Sequence, residues 1–108
     1  MIEKLEEIKL RFEDVGQLLA QPETMKDIKK FSQLSKEYRD LEKVVKKYDA
    51  FTKIVEGIDH AKEVLETEKD PEMRELAKME LEELTPKRDA LDADIKDLLM
   101  PKDPNDDR

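Results

Sequence analysis

The chain has 108 residues, 46% of them charged and 37% hydrophobic, with a formal net charge of −8. That length suits one domain, and two glycines with 5% aromatics cannot serve the many turns and strands of a β-sandwich or barrel. Gly16 and Gly57 stand apart, which excludes glycine-rich nucleotide loops, and the acidic balance opposes general adhesion to nucleic acid or anionic membrane while leaving room for a local patch.

Prolines at 22, 71, 101 and 104 divide the chain, and strong helix formers fill the intervals. The first segment spans residues 2–20. Leu5, Ile8, Phe12, Val15 and Leu19 are spaced 3, 4, 3, 4, which is a coiled-coil seam with the charges lying off it. Gly16 interrupts it at about 1 kcal/mol relative to alanine, which five packed seam residues outweigh. Residues 21–26 form a connector, and Asp27 is the natural N-cap of the second helical segment, with Thr24 as its rival.

The second segment spans residues 28–69, roughly 60 Å of helix at ~1.5 Å per residue. Its apolar stripe shifts along its length. Phe31, Leu34, Tyr38, Leu41, Val45 and Tyr48 mark the first half; Leu41, Val44, Tyr48, Phe51, Val55, Ile58, Ala61 and Leu65 mark the second. Both stripes coexist between Leu41 and Tyr48. Gly57 is a candidate bend, although an isolated glycine is tolerated within a helix.

The third segment spans residues 71–99. Asp70 is its N-cap, Pro71 occupies the first turn, and Glu72 and Glu75 put negative charge at the helix start. The seam is Ala77, Leu81, Leu84, Arg88, Leu91, Ile95 and Leu98. Pro86 removes the hydrogen bond to the carbonyl of Glu82, so a kink is expected there, with a break into two helices as the alternative. Pro101 ends the segment, and residues 102–108, which have no apolar member, form a solvated tail.

These lengths predict an all-α fold. A long central helix forms the spine, and a shorter helix folds back on each half. The result is an elongated antiparallel three-helix coiled-coil bundle over residues 1–100. The chain has no cysteine, no apolar run behind its first residues and no stretch near the length of a membrane span, so a reducing, cytoplasmic setting is expected.

Few residues suggest bond-making chemistry. His60 is the single histidine, with Glu56 and Val64 as its helical neighbours, and it suits an exposed helix surface better than a metal site. Asp103, Asn105 and Asp107 imitate the opening of a calcium loop, but the glycine and glutamate that such a loop requires do not come after them. Glu82–Glu83 and Asp92–Asp94 are paired carboxylates on faces that give no means of separating their proton affinities. No catalytic residue, cofactor site or metal site is assigned, and no small-molecule substrate or membrane partner is expected.

The charge distribution is more informative. Residues 1–23 carry three bases and six acids; 24–55 carry nine bases and five acids, net +4; 56–108 carry nine bases and eighteen acids, net −9. The positive stretch contains Lys26, Lys29, Lys30, Lys36, Arg39, Lys43, Lys46, Lys47 and Lys53. One reading is contact with RNA phosphate or an acidic protein. The simpler reading is i,i+4 pairing with Glu42 and Asp49 plus cross-helix pairing.

Several stretches resemble bacterial class I peptide chain release factors. Phe31-Ser-Gln-Leu-Ser-Lys-Glu-Tyr38 with Arg39-Asp40-Leu41-Glu42 is similar to their second helix. Asp70-Pro-Glu-Met-Arg-Glu-Leu-Ala77 with Glu80-Leu81-Glu82-Glu83-Leu84 is similar to their third. Leu98-Leu99-Met100-Pro101-Lys102-Asp103-Pro104-Asn105-Asp106 resembles the junction into their next domain and is the most specific match; Arg11-Phe12-Glu13 and Gln21-Pro22-Glu23 also fit. The release factor 1 branch, which reads UAA and UAG, fits better than its UGA-reading sibling, which tends to carry a tryptophan after the first helix.

The family's catalytic Gly-Gly-Gln loop and its stop-codon tripeptide do not occur in these 108 residues. The resemblance therefore implies an N-terminal helical domain, with 101–108 starting a linker to a second domain. It implies a role in translation termination through position: on the ribosome near the large-subunit stalk base, with rRNA phosphate as a possible contact, and beside the GTPase that recycles the factor. Two partner-contact surfaces are expected. One is Lys26, Lys29, Lys30, Lys36 and Arg39; the other is the hairpin tip with Glu66, Glu68, Lys69 and Glu72. The rival reading is a free-standing coiled-coil oligomerisation or chaperone-like module. A reading frame that continues past Arg108 into a domain carrying Gly-Gly-Gln separates the two.

Overall fold

A computed structural model describes residues 2–100, which contain four α-helices and no strand: α1 (Ile2–Leu19), α2 (Pro22–Lys26), α3 (Ile28–Thr67) and α4 (Pro71–Leu99). The expected all-α class and long central helix are present. The polar tail and its Asp103, Asn105, Asp107 pattern lie outside the described residues. The chain divides within α3 into two compact units, one up to Lys46 and the other from Lys47.

In the first unit, Leu5 and Val15 of the α1 seam are fully buried, and Ile8, Phe12 and Leu19 are half-buried. Phe12 stacks on Tyr38 with ring centroids 4.5 Å apart. A connector as short as residues 20–27 returns α3 alongside α1, so the two helices run antiparallel. Gly16 faces the same tyrosine: a Cβ there would lie 3.3 Å from Tyr38 Cε2. The glycine that costs helix propensity thus lets an aromatic ring approach the α1 backbone.

The expected connector at residues 21–26 is corrected to a short helix. Gln21 is extended (φ −84°, ψ 136°), as a residue before proline prefers, and Pro22 opens α2 where its missing N–H costs nothing. Thr24, the rival cap, is instead buried inside α2. Asp27 caps α3: its carboxylate accepts from the Lys30 N–H at 3.1 Å, and its carbonyl accepts from the Phe31 N–H at 2.9 Å. Val44 and Val45 are both buried, so the apolar surface of α3 is about 100° wider there than a single seam requires.

In the second unit, the end of α3 and α4 run antiparallel. Leu65 lies beside Arg74, Gly57 beside Leu84, and Lys47 beside Asp94, so the paired position rises in α4 as it falls in α3. Ile58, Ala61, Ala77 and Ile95 form the buried seam. α3 continues through Gly57, where a Cβ would sit 2.9 Å from Leu84 Cδ1. Of the two readings of Gly57, the tolerated helical glycine holds, and the residue is also a point of close helix approach. α3 ends at Thr67 rather than Lys69, because Asp70 must be extended (φ −65°, ψ 120°) to precede Pro71 and cap α4. The Asp70 carboxylate accepts from the Glu72 N–H at 3.3 Å. α4 runs unbroken through Pro86, so the two-helix alternative is set aside. Pro86 and Glu82 are both exposed residues.

Candidate functional site

Lys26, Lys29, Lys30, Lys36 and Arg39 are all exposed. Successive residues of a helix are about 100° apart, so Lys29, Lys36 and Arg39 fall within about 80° of one another, with Lys30 about 100° to the other side of Lys29. Lys26 belongs to α2, ahead of the Asp27 cap. The simpler pairing reading holds further along: Lys46 sits 3.9 Å from Glu42, and Lys47 donates to Asp94 at 3.0 Å. Among the described residues, none of the five earlier bases forms an ion pair. Of the positive stretch, Lys46 and Lys47 are thus used within the fold, while Lys26, Lys29, Lys30, Lys36 and Arg39 face solvent.

At the hairpin tip, Glu66, Lys69 and Glu72 are exposed and Glu68 is half-buried. Glu68 also has a backbone role that sequence reasoning missed. The Arg74 guanidinium donates to the carbonyls of Leu65 and Glu68, the latter at 3.2 Å. α3 has no basic residue in its last turn, and an arginine from α4 supplies both donors and positive charge to its open carbonyls. Thr67 Oγ1 adds a bond to the Glu63 carbonyl at 2.9 Å. The tip is therefore a fixed turn that presents acidic side chains. The sequence signal for Arg74 was only a base four residues after an N-cap, too common to identify a cap.

A second feature not anticipated is the Arg11–Glu37 pair. The guanidinium donates two bonds to one carboxylate, at 2.7 and 2.8 Å. These bonds hold the Glu37 carboxyl below the usual glutamate range, with Arg11's charge assisting and partial burial opposing, and they raise Arg11 in turn. The partners are 26 residues apart, so no helical spacing rule points to them. Lys96 is likewise raised, by its 2.8 Å contact with Asp92.

His60 is exposed, as expected for a surface histidine, and it borders a groove of about 160 Å³ between α3 and α4. Ala61, Val64, Met73, Leu76, Ala77 and Glu80 complete the lining. Among the described residues, no group of three or more histidines, cysteines and carboxylates is placed to hold a metal ion, and no helix is long and apolar enough to cross a membrane.

Comparison with known proteins then places the chain. Residues 8–108 match the family model described as the PCRF domain. Peptide chain release factor 1 of Cytophaga hutchinsonii is 46% identical over 106 residues, covering 98% of this chain and 30% of the relative. The protein of the same name from Parabacteroides distasonis is 46% identical over 108 residues, covering 100% of this chain and 29% of the relative. That from Clostridioides difficile is 42% identical, again across 100% of this chain and 30% of the relative. The chain thus spans about 30% of the length of the curated relatives it matches. No solved structure matched. With a family match over nearly all its residues and release factors 1 as its relatives, the chain belongs to the PCRF-domain family of peptide chain release factors.

Proposed function

We propose that this chain is the N-terminal helical domain of a UAA- and UAG-reading peptide chain release factor, and that it works in translation termination by positioning. It holds the factor on the ribosome near the base of the large-subunit stalk and presents it to the recycling GTPase. Peptidyl-tRNA hydrolysis and codon reading belong to other parts of such a factor. The observation that carries this reading is the similarity to release factors 1 along the whole chain at about 30% of their length. The segregated surface supports it: five solvent-facing bases up to Arg39, and an acidic tip around Glu66 and Glu72.

The basic set is the ribosome-facing surface in this reading, since an unpaired lysine loses little on exchanging water for phosphate and releases a counterion. Lys29→Glu, Lys30→Glu and Lys36→Glu together, in the full-length factor, will weaken ribosome binding and flatten its salt dependence by roughly one unit of slope per lost contact. Unchanged affinity across a salt series removes the lysines from the reading. The tip is the GTPase-facing surface. Replacing residues 66–72 with a short neutral turn will slow recycling, and unaltered recycling kinetics would count against that assignment.

A further inference from the structure

The α3–α4 groove has an apolar floor that the fold does not cover. Ala61 and Ala77 are buried at its base, and their small side chains leave room above them. Met73 and Leu76 form a wall while remaining 45% and 64% exposed. At about 160 Å³ the groove has room for one leucine- or ring-sized side chain, because a cavity of about 150 Å³ accepts benzene. A methionine wall adapts to the shape of such an anchor.

The helix segments that form the groove are acidic overall. Residues 56–83 carry eleven acids and four bases, net −7, and Arg74, one of the four, is engaged at the end of α3. Glu80 lines the groove itself. We propose that this groove binds an amphipathic helix of a partner protein, with an apolar anchor seated between Val64, Met73 and Leu76 and lysines or arginines on its flanks facing the acidic rim. Helix-in-groove recognition needs an apolar slot and complementary charge beside it, and both are present. A second copy of this chain is a poor occupant, because it would bring two acidic rims together. The proposal goes beyond the ribosomal reading. It names the chemistry of the bound helix, whichever molecule carries it, and uses a surface separate from the lysine set.

The test uses the 108-residue chain and a synthetic helical peptide of about 16 residues, with leucines at i, i+4 and i+7 among lysines. Titration followed by NMR should move the signals of Val64, Met73 and Leu76 first. Leu76→Lys, at an exposed position whose fold is checked by circular dichroism, should weaken binding about tenfold or more, while Ser32→Ala, exposed on α3 outside the groove, should leave it unchanged. Equal binding of a scrambled peptide of the same charge would overturn the proposal, as would shifts spread over the acidic faces without the groove. Self-association of the chain that Leu76→Lys abolishes would assign the groove to a second copy and overturn it as well. No ribosome enters the assay, so its failure leaves the ribosomal reading untouched.

Discussion

Gly57→Ala isolates the opposition between local helix preference and tertiary packing. In a free helix the substitution gains about 1 kcal/mol, because alanine gives up less backbone freedom than glycine. In this fold the new Cβ would lie 2.9 Å from Leu84 Cδ1, closer than carbon atoms normally pack. Leu84 is half-buried and the obstructing atom is the end of its side chain, so a rotamer shift can relieve the contact. That places the overpacking cost near the lower end of the usual range, about 1 kcal/mol. The two terms cancel, and Gly57→Ala alone will change stability by less than about 0.5 kcal/mol. In a Leu84→Ala background the obstacle is gone, and Glu80 Oε1 at 3.7 Å is an ordinary contact. There the same substitution will stabilise by about 1 kcal/mol, a coupling of about 1 kcal/mol between the sites. Urea unfolding of the four proteins of the cycle, followed by far-ultraviolet circular dichroism at constant m-value, measures it. A gain of about 1 kcal/mol in both backgrounds would refute the reasoning and return Gly57 to a tolerated helical glycine.

Ile95→Ala will cost about 2–5 kcal/mol because its side chain is fully buried, whereas Leu98→Ala, at 42% exposure, will cost less than about 1; denaturant midpoints compare them. Arg74→Gln removes a charged donor from the end of α3 and will cost about 1–2 kcal/mol, with faster hydrogen exchange at the Thr67 and Glu68 amides than elsewhere in α3. Loss of stability without local fraying would mean that Arg74 acts by packing alone. Glu37 has a lowered folded pKa, so its contribution is complete above the ordinary glutamate value of about 4.3 and disappears as the pH falls through the folded value. Thermal midpoints of the protein and of Glu37→Gln should therefore differ at neutral pH and converge in acid; a constant gap would exclude the Arg11 pairing as its origin.

Periodicity and end signals were sufficient for the three long helices. The α1 seam, the Asp27 and Asp70 caps, Pro71 in the first turn and the residues before Pro22 and Pro101 act over one or two helical turns, so nearby residues reveal them. Even the shifting stripe of α3 was visible, because Val44 and Val45 are neighbours in sequence and both are buried. Pro22 misled in a local way: it marks the end of α1 and also the start of α2, and one residue can do both only when the backbone before it turns extended. The composition of the candidate contact surfaces was plain from charge counts, but not which charges stay free. Lys47 finds Asp94 across the helix pair, while Lys26, Lys29, Lys30, Lys36 and Arg39 form no ion pair among the described residues.

Tertiary structure alone decided the relations between residues far apart in the chain. Gly16 under Tyr38, Gly57 against Leu84, Arg11 on Glu37, Arg74 on the end of α3 and the groove above Ala61 and Ala77 all depend on the relative rotation and approach of two helices. A seam sets which face turns inward but leaves that distance and rotation open over a range of about an ångström and some tens of degrees. Side-chain contacts are made or lost within such a range, so only the packed chain could settle them.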